Sequence, residues 1–510
     1  MNRIKLGNSP ASRLSARRRV TLLAVIAIAA ATIALKGVVS VLTATPATIN
    51  GIILLVGADA SQRVVNWYAS ADTHQVVQVA PTSELQDGAF PSHAKNYGAL
   101  VAANTVNGGF NGHAILDDLK QNTAYSYRVG GDGAWSETYE FKTRKFDGNF
   151  DFLFFGDPQI GSSGNVPKDQ AGWEDTMKVA LAANPEVELL VSGGDQVETA
   201  GVETQWTAFL TPPGLRSVPW VATIGNHDVG SRAYEQHLWT PNTDRSPSLY
   251  RSGIRTNMSG GDYWFLYKGV LFIDLNSNAF STSGEPGVDA DTAHIGFITK
   301  VVQQHGFEAK YTVLVYHHSI YSPADHANDT DNQKRRLDFP TAFSQLGVDL
   351  VLQGHDHSYS RSYLIDRGFK QNPDEQPGAT SVFQDPGGVI YVTGNSASGS
   401  KYYPLSVPTG GTSSTRPIIG FDPNYGPDPL NPENHWPNSV ESQENVRSYV
   451  KVMVRNNLLS VENIRSGTCA APNAAFEVGN VTWCGPDHGA SPALPVGSLV
   501  DHVVIHPVRP

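Results

Sequence analysis

Residues 348–357 read Val348-Asp349-Leu350-Val351-Leu352-Gln353-Gly354-His355-Asp356-His357, an apolar run ending in a polar knot. A short, branched, glycine-bounded run of this kind predicts a buried strand. The same grammar appears four more times. Residues 152–155 run into Gly156-Asp157, and residues 187–191 into Gly193-Gly194-Asp195. Residues 218–224 run into Gly225-Asn226-His227-Asp228, and residues 311–315 into His317-His318. Helical patterns over 173–183, 291–305 and 332–346 sit between them. Alternating strands and helices predict an α/β domain with both sheet faces covered. Each polar motif falls just past the C-terminal end of a predicted strand, where open α/β sheets place ligands.

Working outward, residues 45–145 have a different texture. Alternating apolar positions in Arg63-Val64-Val65-Asn66-Trp67-Tyr68 and Gln75-Val76-Val77-Gln78-Val79 predict short strands. Further strands follow at Tyr125-Ser126-Tyr127-Arg128-Val129 and Tyr139-Glu140-Phe141-Lys142, so this segment reads as an all-β sandwich. Towards the C-terminus, a Gly/Pro-rich stretch at 404–437 precedes strands at 446–455, 458–465 and 500–506. These are expected to be outer strands of the catalytic domain's second sheet, placing that domain at 150–510.

Composition narrows the function. The 510 residues carry a formal net charge of −11, with 40% hydrophobic residues and 48 glycines. No basic stripe offsets the acidity, so a nucleic-acid scaffold is not an expected partner. An anionic substrate would need local positive charge, which bound cations would supply. Arg3, Lys5, Arg13, Arg17, Arg18 and Arg19 precede an apolar run from Val20, the order of an export signal. Residues 1–44 therefore read as an export signal or a retained membrane anchor, with the rest of the chain extracytoplasmic. The two cysteines, Cys469 and Cys484, are expected to pair, closing a loop that adds roughly 3 kcal/mol in the chain-entropy picture.

Asp157, Asp195, Asn226, His227, His317, His355 and His357 are oxygen and imidazole donors held at strand ends beside glycine. Brought to one sheet edge, they could grip two metal ions about 3.5 Å apart. Asp195 suits the bridging role, because its Gly-Gly-Asp turn permits close backbone approach. The chemistry expected is polarisation of a phosphoryl oxygen and in-line attack by a metal-bound hydroxide. His237, His294, His305 and His502 read as structural, Ser398 as part of a glycine/serine loop, and Arg335-Arg336 as a solvated helix face.

In order, Gly-Asp-x-Gln, Gly-Gly-Asp, Gly-Asn-His-Asp, His-His-Ser and Gly-His-Asp-His strongly resemble the calcineurin-like metallophosphoesterases. With the β-sandwich in front, the chain looks most like the purple-acid-phosphatase branch and its fibronectin-like N-terminal domain. The resemblance implies a four-layer αββα catalytic domain. It implies a first metal held by Asp157, Asp195 and His357, and a second held by Asp195, Asn226, His317 and His355. It further implies that His227 contacts the phosphate and aids the leaving group, and that His326 contacts substrate.

Two departures stand out. Glu198 occupies the position of that branch's tyrosine ligand, so no purple colour is expected. Gln159 stands where other members place a histidine, and either lends a carbonyl oxygen to the first metal or leaves it less fully ligated. Iron, manganese, zinc and calcium all remain open. The function implied is phosphomonoester hydrolysis. The alternatives are a phosphodiesterase acting on nucleotides or phospholipid headgroups, and a cell-surface binding protein with an inactive phosphatase fold.

Overall fold

The structure, a computed structural model, describes residues 48–104, 106–131, 134–250, 259–279, 290–408, 425–467 and 494–507. The export segment and the Cys469/Cys484 pair lie outside the described residues. No helix of the described residues is long and apolar enough to cross a membrane.

Residues 150–155, Phe-Asp-Phe-Leu-Phe-Phe, form a strand whose alternate side chains enter two different cores. Phe152 and Phe154 pack inward against Phe265, Phe272, Val313 and Val315 of a second sheet. Leu153 and Phe155 point the other way, to Trp173 and Met177 of the helix Val166–Ala183. Burial on both faces is why these strands read as unbroken apolar runs. The helix starts where Asn165 accepts the Lys168 amide at 3.1 Å, a side-chain N-cap. The second sheet is covered likewise: Leu271, Ile273, Leu314 and Val351 pack with Ile298, Phe339 and Phe343 of the helices Ala290–His305 and Thr330–Gln345. The result is the four-layer αββα arrangement.

In the first sheet, Phe150–Phe155 runs parallel to Leu189–Ser192, which runs parallel to Trp220–Val221. In the second, Val270–Leu275, Tyr311–Tyr316, Leu350–Gln353 and Ile390–Thr393 are parallel neighbours. The five motifs are thus split between two facing sheets rather than carried along one.

The strands Ser448–Val454, Leu459–Arg465 and Leu499–His506 belong to the first sheet, antiparallel beside Phe150–Phe155, and not to the second as expected. The second sheet is completed instead by Tyr359–Ser362 and Asn438–Ser442. On the other side, Leu55 pairs in parallel with Trp220, and the first sheet continues into the front sandwich through Ile49–Val56, Arg63–Ala69 and Phe110–Leu116. That sandwich closes its own core with Val65, Trp67, Val77, Tyr127 and Phe141.

Candidate metal centre

The C-terminal ends of both sheets meet at one rim. The His355 amide donates to both oxygens of Asp157, at 2.9 and 3.0 Å, tying the last strand's turn to the first strand's carboxylate. The His227 amide donates to Asp195 Oδ1 at 2.9 Å. Close approach dictates the glycines: a Cβ on Gly225 would strike the Asp195 carboxylate, and one on Gly354 the Asp157 carboxylate. Asp195, His355, His357 and Gln159 all adopt positive φ, of 47°, 76°, 44° and 35°. Strained backbone of this kind persists where surrounding contacts hold it, characteristically at functional sites.

The donor atoms converge. One ligand atom from each of Asp195, His317 and His355 lies within 4.8 Å of the others. His317 Nε2 is 3.2 Å from Asp195 Oδ2, 2.9 Å from Asn226 Oδ1 and 3.1 Å from His355 Nδ1. Beside this group, His357 Nε2 stands 3.3 Å from Asp157 Oδ2.

Tautomers show that the arrangement suits cations. His317 Nδ1 lies 2.8 Å from the Gly193 carbonyl, which can only accept, so the Nδ1 of a neutral ring carries the proton. Its Nε2 lone pair then faces a carboxylate oxygen, an amide oxygen and another imidazole nitrogen. His357 is set the same way, with Nδ1 against the Lys401 carbonyl at 3.1 Å and Nε2 turned to Asp157. Lone pairs crowded on one point fit a shared cation, and carbonyl partners on the far ring nitrogens are what orient histidine ligands.

The electrostatics agree. Burial pushes Asp157 up to about 7, helped by the neighbouring Asp195 charge. Burial, seconded by Lys401, holds His357 down to about 3, and burial with the surrounding histidines holds His355 well below the usual imidazole range. For His317, burial lowers the pKa but Asp195 and Asp157 outweigh it, lifting it to about 10. A proton on Nε2 would thus occupy the spot to which Asp195 and Asn226 are aimed.

The remaining expected residues fall around this centre. The Gln159 amide donates to the Asp195 carbonyl at 2.8 Å, while its buried Oε1 has no hydrogen-bond partner. His227 Nδ1 donates to the Glu198 carbonyl at 2.8 Å, and the Glu198 carboxylate is 3.6 Å away. His326 stacks on His355 with ring centroids 3.7 Å apart, its Nδ1 2.8 Å from Asp329 Oδ2. His326, Asp329 and His355 also cluster closely. Stacked rings, however, hold their lone pairs side by side, so this group makes a wall rather than a chelate. His318 turns aside to Ser277 Oγ at 2.8 Å.

Arg335 is fully buried, not solvated: it holds Asp291 at 3.3 Å, Asp331 at 3.1 Å and the Ser277 carbonyl at 2.6 Å. Arg336 likewise donates to the Ile320 and Ala327 carbonyls. Both face loops of the rim, and sequence spacing could not show that those carbonyls turn inward. Asp228 and Asp356 sit inside the motifs, where sequence assigns them no ligand role. Asp228 accepts the Gly225 and Gln196 amides and so shapes two ligand turns, and Asp356 gathers the segment that carries His326. Ser396, Ser398 and Ser400 brace the turn after Asp157 through the Asp157 and Pro158 carbonyls. His237 and His294 pair with Glu203 and Asp262, and His305 pairs with Glu308, which suits structural roles.

The comparisons with known proteins point the same way. Residues 49–143 match the family model for the purple acid phosphatase N-terminal domain, and residues 150–359 match that for the calcineurin-like phosphoesterases. Purple acid phosphatase 18 of Arabidopsis thaliana is 24% identical over 51% of this chain and 55% of its own length. A phosphoenolpyruvate phosphatase of Allium cepa is 21% identical over 50% of the chain and 51% of its own length. The chain spans about half the length of these curated relatives. A solved purple acid phosphatase from yellow lupin seeds superposes with a TM-score of 0.63 at 15% identity, over 90% of this chain and 74% of the lupin chain, a likeness of fold. The chain thus carries a purple-acid-phosphatase N-terminal domain followed directly by a calcineurin-like phosphoesterase domain, and it is similar over about half its length to purple acid phosphatases.

Proposed function

We propose that the chain is an exported, metal-dependent hydrolase of phosphate monoesters. The observation that carries this reading is the convergence of Asp195, Asn226, His317 and His355 on one point, with Asp157 and His357 beside it. Carboxylate, amide and imidazole donors suit iron, manganese, zinc or calcium. Two such cations, when bound, supply the charge that polarises a phosphoryl oxygen and acidifies an attacking water.

The chain's own groups do the rest. Carbonyls of Gly193 and Lys401 hold the His317 and His357 rings in the ligand tautomer. As the imidazolium, His227 donates from Nδ1 to the Glu198 carbonyl and can pass its Nε2 proton to the leaving oxygen. As the imidazolium, His326 donates from Nδ1 to Asp329 and keeps its Nε2 proton for a phosphate oxygen. The monoester preference rests on relatives named as acid phosphatases, and export rests on the basic-then-apolar order of residues 1–44.

The test is steady-state hydrolysis of 4-nitrophenyl phosphate and bis(4-nitrophenyl) phosphate by the metal-loaded chain. The expected result is a higher kcat/KM for the monoester. A higher value for the bis-ester overturns the monoester assignment in favour of a diesterase, and two bound ions with no hydrolysis of either favours a binding protein. N-terminal sequencing of the protein recovered outside the cytoplasm tests export.

A further inference from the structure

Lys401 occupies an odd position for a cation. Its carbonyl is the group that fixes the His357 tautomer, so the residue is tied to the metal centre through its own backbone. Its ammonium lies over the Tyr403 ring, 4.4 Å from the centroid. That ring packs edge-on against both His357, at 5.5 Å, and His326, at 5.4 Å.

Other cations of the catalytic domain do pair with carboxylates: Lys370 with Asp428, Arg447 with Asp175, and Arg455 with Asp151. Among the described residues, Lys401 has no carboxylate partner. An ammonium without a carboxylate partner beside a centre built for two cations repels them. It cannot serve metal retention, and a chain of net charge −11 has carboxylates enough to pair it. The arrangement makes sense when an anion arrives with the substrate. The scissile phosphate already has the two cations, His227 and His326.

Building on the phosphoesterase reading, we propose that Lys401 binds a second anionic group of the substrate, so that the enzyme prefers phosphate esters bearing a carboxylate or further phosphate near the scissile group. Tyr403 sets the distance by holding the Lys401 ammonium over a ring that packs against His357 and His326. The specificity element is then the Lys401–Tyr403 segment together with the His326 loop.

A matched pair of esters tests this. Glycerol 3-phosphate and 3-phosphoglycerate share the scissile bond and differ by one carboxylate. The kcat/KM ratio, acid over alcohol, should exceed one in the wild type, fall about tenfold in Lys401→Met and persist in Lys401→Arg, the size of one charge-assisted hydrogen bond. A second readout needs no turnover. Calorimetric Kd values for 3-phosphonopropionate and propylphosphonate on the metal-loaded chain should show the same tenfold loss of discrimination. A ratio unchanged by Lys401→Met, including an equal fall for both ligands, overturns the proposal. Absence of all ester hydrolysis instead defeats the phosphoesterase reading, and the calorimetry still decides the role of Lys401.

Discussion

His326 lies almost parallel to His355, planes 24° apart and centroids 3.7 Å apart, so the His326 loop rests directly on the ring of a proposed metal ligand. What presses it there is Asp356, between the two histidines of Gly-His-Asp-His. Its carboxylate accepts the amides of His326 at 3.2 Å and Ala324 at 2.8 Å, together with the Ser322 hydroxyl. Burial raises the Asp356 pKa, and those donors work against the rise.

Asp356→Asn replaces an acceptor with an NH2 facing backbone N–H groups, so the loop loosens while the metal ligands stay. KM for a phosphomonoester should rise about tenfold, the size of a lost charge-assisted hydrogen bond, with two metal ions still bound. Because the effect passes through His326, adding Asp356→Asn to His326→Ala should cost little more than His326→Ala alone. Additive losses in that double-mutant cycle would show that Asp356 acts elsewhere.

Asn226 and His317 share one meeting point with Asp195, so either alanine variant should lose an ion. Metal analysis should fall from two ions per chain towards one. Hydrolysis should drop by at least about a hundredfold, since loss of a ligand exceeds the 10- to 100-fold typical of losing its outer partner. Full activity in Asn226→Ala would refute the ligand assignment.

The outlines of this site were legible because its chemistry is local: a strand, a glycine and a donor recur within each motif. Strands buried on both faces announce themselves as apolar runs, and Phe150–Phe155 does so plainly. Tyr359–Ser362 was illegible for the opposite reason. Tyr-Ser-Arg-Ser is fully buried, yet polar, and becomes a strand only because Asp501, far along the chain, satisfies Arg361. Arg335 misled in the same way, its partner Asp291 arriving from another helix. One missed element did carry a signal. The hairpin Tyr263–Tyr267 to Val270–Leu275 turns at Lys268-Gly269, both at positive φ, and a two-residue turn ending in glycine between aromatic and apolar runs is recognisable.

Asp501 gives a stability prediction. Arg361 is fully buried and bonds Asp501 through Nε at 2.6 Å and Nη2 at 3.1 Å, while Tyr359 adds a hydroxyl at 2.8 Å. This pair links the second sheet to the last strand of the first. Asp501→Asn leaves a buried guanidinium without its counter-charge and should destabilise by roughly 3 to 5 kcal/mol in urea unfolding. A loss under about 1 kcal/mol would mean that water reaches Arg361.

The last prediction concerns pH. His294 is buried, with Nδ1 2.7 Å from Asp262 Oδ2 and Nε2 3.1 Å from the Ala279 carbonyl. Both partners accept, so both nitrogens need protons, and only the imidazolium satisfies the pair. Burial alone would lower the pKa and Arg335 opposes the charge as well, but Asp262 outweighs them and raises it. A pKa raised on folding contributes stability in full below the unfolded value of about 6.5 and loses it as pH climbs through the folded value. Residues 276–279 hang on this pair, since Asp262 Oδ1 also accepts the Asn276 amide, and Asn278 reaches from there to the Gly225 carbonyl next to Asn226. His294→Asn cannot titrate. The wild type should therefore exceed His294→Asn in unfolding free energy most strongly in mild acid, and the gap should narrow as pH rises into the alkaline range. A gap that is constant or widens with pH would show that His294 is buried neutral.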